Sequence, residues 1–443
     1  MTRWKRCLHT ALGKHQTRPA AIRPQAWPGL LLVQLLLVAL IACAGPEAGP
    51  EAGPEAGPGD QQGAETGAGP DEQAAGTDGR GDPAGTGSQA GKEAGADREP
   101  EPVRERHLRA TIRSWEYNMR HQGKRLGEQL LAQETHELQL HAVYYDSNRV
   151  FRQIAAYTGE QEPWMDFARF AEDAYREYMD RNDFGVAGWM RFPHGFYLAA
   201  VNGGDSESLK YLHRLRDKGA FADSDNPQRV RSWSQQRYSR ELAYVIQTHV
   251  LAERAGAQRQ PERLKPAVDM ALSHIQQWLS GDFVNPDPDW RFVQPFMAGL
   301  TASALIDYYR LTGSSNEPDD RVPEALQPLA DWLWDKAWVA DVGGESGNWN
   351  DRGGTGHGAF RYVLPAKESV GGNSPAPDLN MLILPLYLFV HEHTGDPRYL
   401  DQADRIFMGG VELASLDTPK QFNQHYRDSF RYVRLRSRAL EEE

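Results

Sequence analysis

The segment HTGDPRYLDQADRIF, His393 to Phe407, carries the punctuation that decides the fold. Gly395 suits the left-handed position that closes a helix, because it has no Cβ to clash there. Asp396 is a good N-cap, and Pro397 fits the first helical position, where its missing N–H costs nothing. An apolar run, NMLILPLYLFV (Asn380 to Val390), precedes this mark, and a one-sided amphipathic run follows it. The same grammar recurs in YTGEQEPW with Gly159 and Pro163, NGGDSES with Gly204 and Asp205, AGAQRQPERL with Gly256 and Pro261, and LTGSSNEP with Gly313 and Pro318. Both Pro261 and Pro397 are followed by Leu at the third place and Ala at the sixth. The glycines are 45, 52, 57 and 82 residues apart, a range that marks repeats of helical pairs. The last gap is stretched by the glycine-rich segment from Gly343 to Gly372.

Helices before each glycine are apolar around most of their circumference, as in VQPFMAGLTASALIDYYRL (Val293 to Leu311), and must be covered on most sides. Those after it carry charge on an outer face. β-branched alternation is scarce, so no strand is expected. Inner helix, tight turn and outer helix, repeated, predict an all-α domain, an (α/α)5-6 toroid over residues 104–443. The helices near Arg104 to Gln133 and Gln421 to Arg436 are expected to pair as a sixth hairpin. The segments PFMAGLTASALIDYYRLTG and APDLNMLILPLYLFVHEHTGDPRYLDQAD resemble the α/α-toroid carbohydrate-active enzymes, which include six-hairpin glycosidases and toroidal polysaccharide lyases of the alginate-lyase type. The lyases' Asn-Asn-His-type signature is absent. The resemblance therefore implies an architecture and a carbohydrate substrate, and assigns no reaction.

The N-terminal region is organised differently. Residues Met1 to Pro28 are basic and polar, and GLLLVQLLLVALIA (Gly29 to Ala42) has the length of a signal-peptide core rather than of a membrane span. It ends in LIAC, which resembles a bacterial lipobox with Cys43 as the acylated residue. Residues 1–43 are thus read as a lipoprotein signal peptide, the alternative being an uncleaved anchor. Either reading puts the body in the cell envelope, lipid-anchored or membrane-tethered. Residues 44–103, rich in Gly, Pro, Ala and acids, cannot bury a core and are read as a disordered tether. As a coil they would reach roughly 40 Å. Cys7 and Cys43 are the only cysteines, so the body has no disulfide, thiolate nucleophile or cysteine metal site. The signal segment holds six Lys and Arg and no acid; removing them from the net −12 leaves about −18, which argues against nucleic acid as a partner.

If every short turn lies at one pole, the long outer-to-inner connections gather at the other. They read DFGVAGWMRFPHG (Asp183 to Gly195), FADSDNPQRVRSWSQQRY (Phe221 to Tyr238), GDFVNPDPDWRF (Gly281 to Phe292), the segment from Gly343 to Asp378, and LDTPKQFNQHYRD (Leu416 to Asp428). Segments this irregular are usually functional or disordered, and the tryptophans they carry are rare in disordered ones. Trp189, Trp233, Trp290 and Trp349 fall one in each of four of them, as sugar-stacking faces or as caps on the core beneath. β-elimination in a uronic-acid polymer needs cationic or amide donors on the carboxylate, a proton acceptor and a proton donor. His194 is the candidate base, Tyr238 the acid, and Arg240 with Asn350 the carboxylate clamp. Trp189, Arg191, Trp233, Asn348, Asn350, Arg352, His357, Tyr426 and Arg427 are the candidate substrate contacts. The competing explanations are that His194 caps a helix where a loop enters it and that Arg240 and Glu241 merely form ion pairs between helices. Hydrolysis needs two facing carboxyl groups. Asp205, Glu241, Asp289, Asp351 and Asp378 show no obvious pair, and Asp205 and Asp378 are explained as caps. A uronate polysaccharide lyase is therefore the leading expectation, followed by a glycoside hydrolase and a non-catalytic glycan-binding lipoprotein. The partner is an anionic or neutral polysaccharide and the chain a monomer. No cofactor or metal is expected: GGTGHG lacks the Lys-Ser/Thr of a phosphate loop, and the histidines of HEH (His391 to His393) point apart on a helix.

Overall fold

The glycine marks end helices for the expected reason at three of the five repeats: Gly159, Gly204 and Gly395 take φ of 74°, 67° and 71° as left-handed caps. The structure, a computed structural model, describes residues 103–221, 233–340, 342, 358–370 and 372–442. Cys43, the tether, Asn348, Trp349, Asn350, Asp351, Arg352 and His357 lie outside the described residues. Fourteen α-helices account for most of what is described. They are α1 (Val103–Leu131), α2 (His136–Val143), α3 (Ser147–Thr158), α4 (Trp164–Arg181), α5 (Pro193–Gly203), α6 (Ser206–Lys218) and α7 (Ser239–Arg254). After these come α8 (Pro261–Ser280), α9 (Pro295–Ser314), α10 (Arg321–Ala337), α11 (Asn380–Thr394), α12 (Pro397–Leu413), α13 (Pro419–Tyr426) and α14 (Phe430–Glu442).

The fourth repeat departs from the pattern. Gly313 stays inside α9, which runs to Ser314, and Asn316 takes the left-handed conformation instead at φ 59°. Asparagine tolerates that region better than most side chains, so the helix overruns its glycine by one residue and the left-handed position moves to Asn316. The expectation of no strand is corrected by a two-residue pair, β1 (Trp338–Val339) antiparallel to β2 (Ala359–Phe360), which ties the glycine-rich segment to the end of α10.

Helices α7, α9 and α11 are buried along almost their whole length, whereas α4, α6, α8, α10 and α12 bury one face. Contacts between the covered helices run α3–α5–α7–α9–α11–α13 and return from α13 to α3. Each of α3, α5, α7, α9 and α11 also packs on the helix that follows its glycine turn, and α1 packs on both α13 and α14. The core lies between the two sets. Trp115 of α1 is fully buried against Tyr426 and Phe430, and its indole N–H donates to Ser429 Oγ at 3.1 Å. Where α9 meets α11, Gly299 allows a close approach; a Cβ there would sit 2.5 Å from the Leu382 carbonyl oxygen. Ion pairs link the one-sided helices to one another: Arg176–Asp205 between α4 and the N-cap of α6 at 2.9 Å, Arg321–Asp269 between α10 and α8 at 2.8 Å, and Arg104–Asp404 between α1 and α12 at 2.9 Å. Among the described residues no helix is long and apolar enough to cross a membrane.

Candidate functional site

Polar side chains collect where the covered helices begin. The connection into α3 holds Tyr144, Tyr145 and Asp146, and the last two adopt left-handed φ of 65° and 67°. Two consecutive non-glycine residues in that region carry a backbone cost of about 1–3 kcal/mol each, which the surroundings must offset. Asp146 shows how. Its carboxylate accepts the N–H of Arg149 at 3.2 Å, capping α3, and the N–H of Gly195 at 3.1 Å in the first turn of α5. Gly195 is required by this crowding: a Cβ would lie 2.5 Å from Asn148 Nδ2.

The break between α13 and α14 supplies Arg427 and Asp428. Asp428 is bridged by two guanidinium groups, Arg149 at 2.7 Å and Arg427 at 2.9 Å. Burial alone would raise its carboxyl, but Arg149 and Arg427 outweigh that and hold it below the usual range. Arg427 is 1% exposed and lies over the rings of Tyr145 and Tyr244, 5.8 and 5.9 Å from their centroids. One terminal nitrogen of Arg427 and one of Arg149 are buried without an acceptor. Tyr244, one turn into α7, is pushed upward by burial and stays a phenol at neutral pH.

Arg240, in the first turn of α7, forks onto Glu241 Oε1 at 3.1 and 2.8 Å, and its charge is felt by Tyr144, Tyr145 and Tyr244. The other oxygen of Glu241 has no partner. Trp189 stands half-buried beside Tyr144, edge to face with centroids 5.6 Å apart. The Lys420 ammonium lies 5.6 Å over the same tyrosine ring.

His194, at the second position of α5, sits with its Nε2 3.8 Å from Asp307 Oδ2 on α9. Asp307 also faces Arg254 at 3.9 Å. Burial lowers the imidazole pKa, Arg149 and Arg427 lower it further, and Asp307 opposes them incompletely. The ring is therefore neutral at pH 7 and able to accept a proton.

Four expected site residues are placed elsewhere. Arg191 is fully buried and donates to the carbonyls of Leu215 at 3.0 Å and Ala220 at 2.5 Å, closing the end of α6. Trp233 is 4% exposed against Phe221, and its carbonyl accepts from His274 Nε2 at 2.8 Å. Tyr238 is 4% exposed, packed on Phe221 with the Arg237 guanidinium over its ring. Tyr426 is in the core, its hydroxyl donating to the Trp115 carbonyl at 2.9 Å. For Trp233 the explanation that a loop tryptophan caps the core holds, and Arg191, Tyr238 and Tyr426 are buried as well. His194, Arg240, Trp189 and Arg427 do come to the cluster.

Sequence reasoning missed Tyr144, Tyr145, Asp146, Arg149, Tyr244 and Asp428. A signal was present: Asp-Ser-x-Arg occurs at Asp146–Arg149 and again at Asp428–Arg431, each time opening a helix, α3 in the first case and α14 in the second. Both acids are N-cap types that the fold turns toward the same cluster. Among the described residues no group of three or more His, Cys, Asp or Glu is arranged to hold a metal ion. No family model matches this chain, and neither a curated protein nor a solved structure matches it.

Proposed function

We propose that the helices form an α/α toroid whose inner-helix starts bind a uronic-acid-containing glycan and cleave it by β-elimination. The closed order of contacts from α3 through α13 and back supports the toroid. The observation that carries the chemistry is the meeting of two guanidinium groups, Arg240 and Arg427, with three tyrosines and one neutral histidine. In this reading Arg240, partly exposed, takes the uronate carboxylate and stabilises the enolate that develops when the neighbouring C–H is lost, while the buried Arg427 adds positive charge from behind the site. His194, uncharged and backed by Asp307, accepts that proton. Tyr144, half-buried where Tyr238 and Tyr244 are both buried, takes the acid's role and gives its proton to the departing glycosidic oxygen. Trp189, also half-buried, offers an apolar face to the sugar rings. The bond electrons end in the new C=C, so no oxidant or cofactor is needed. A lipid on Cys43 and the tether would hold this site at a membrane of the cell envelope.

The test is incubation of the full chain with alginate, polyglucuronate and a neutral glucan. Ultraviolet absorbance of an unsaturated uronate, appearing with the first two alone, is the expected result. New reducing ends without that absorbance would replace this reading with hydrolysis, for which the free oxygen of Glu241 is the starting point. Binding with neither product would leave a glycan-binding lipoprotein.

A further inference from the structure

A second site lies on the outer helices, away from the cluster. On α10, Asp331, Trp334 and Asp335 share one face at the spacing i, i+3, i+4; on α12, Arg398, Asp401, Gln402 and Arg405 share another. These faces line an open groove of about 510 Å³ between the two helices. Its span is bridged at Asp331, which receives Arg398 at 3.2 Å and the Tyr399 hydroxyl at 3.0 Å. Trp334 is half-buried and fixed in place, stacked on Trp338 with centroids 4.6 Å apart and planes 14° from parallel, and met edge-on by Tyr387.

The polar groups are unevenly matched. Arg398 is committed to Asp331 and Arg405 to Asp401, at 3.2 and 3.0 Å. Asp335 is exposed and forms no ion pair among the described residues. Gln402, 5% exposed, lines the groove with a buried carboxamide oxygen that no donor reaches. A rigid indole beside fixed carboxylates, an amide and forked guanidiniums suits the apolar face and hydroxyl edge of a pyranose. The exposed carboxylate of Asp335 selects among pyranoses, because it repels a uronate and attracts an ammonium group. We propose that this groove is a saccharide-binding site for an amine-bearing hexose unit, chemically distinct from the arginine-rich cluster at the helix starts.

The probe is a fully de-N-acetylated glucosamine pentamer, titrated calorimetrically into the full chain, with the N-acetylated pentamer as comparison. The free amine should bind at least about tenfold more tightly than the acetylated sugar, a difference of about 1.4 kcal/mol. Asp335→Asn, at an exposed position where folding is not at issue, should remove most of that preference, and Trp334→Ala should abolish binding of both oligomers. Asp183→Asn, an exposed carboxylate before α5, is the control and should leave binding unchanged. Equal affinity for the two pentamers, no binding of either, or equal weakening by Asp335→Asn and Asp183→Asn would overturn the proposal. None of these outcomes bears on cleavage at the other site, which uses different residues.

Discussion

At the scale of single residues, the molecule turns on how buried charges are shared. Asp428 is the carboxylate between two buried guanidiniums, and removing it leaves both with less compensation in a site of low dielectric. Asp428→Asn is expected to cost about 3–5 kcal/mol in denaturant unfolding, because it breaks a buried pair without replacing it by apolar packing. A loss under about 1 kcal/mol, typical of a solvated pair, would contradict the burial described. The same scale shows why loop residues were hard to read. Arg191 looks like a sugar ligand in DFGVAGWMRFPHG because its partners, two carbonyls some 24 and 29 residues away, are invisible until the chain folds. Trp233 and Tyr238 fall the same way, since a loop aromatic can face inward as readily as outward. His194 and Arg240 each lie in the first turn of a covered helix and reach the cluster, Arg240 already forked onto Glu241.

At the scale of helices, the glycine grammar was legible and its exception was not. Gly395 and Gly313 read alike in the sequence, yet one is left-handed at φ 71° and the other is helical. Gly395→Ala should therefore destabilise by about 1–2 kcal/mol, the cost of a Cβ in the left-handed region. Gly313→Ala meets nothing within 4 Å and should stabilise by about 0.5–1 kcal/mol, through a better helix former and a less free unfolded chain. Thermal unfolding of the two variants should move in opposite directions; movement in the same direction would show that the helix end at Gly313 is misplaced. The sixth hairpin was anticipated as one helix against α1, but the partner is split into α13 and α14. The split is what exposes Arg427 and Asp428 to the other helix starts. Nothing in the hydrophobic period signals it, although the repeated Asp-Ser-x-Arg marks the place.

At the scale of the whole molecule, three buried histidines and the half-buried His194 set the response to acid. Burial lowers His249 to about 3, His274 to about 4 and His425 to about 3, and it lowers His194 as well. In the unfolded chain each returns to the usual value near 6.5. Between those limits the unfolded state binds more protons, so stability is fully present above pH 6.5 and is lost as pH falls toward the folded values. Each histidine contributes up to about 1.4 kcal/mol per pH unit across that window. The unfolding temperature should drop steeply from pH 6.5 to 4; a flat profile there would mean the imidazoles are not buried uncharged. The toroid reading and the site reading meet in one comparison of rates on a uronate polymer, followed by ultraviolet absorbance in the full chain. His194→Ala is predicted to lose about 10²–10⁴-fold in kcat, the contribution of a positioned base, while Tyr238→Phe keeps the wild-type rate. Full activity in His194→Ala, or its loss in Tyr238→Phe, would contradict the assignment of the chemistry to the cluster at the inner-helix starts.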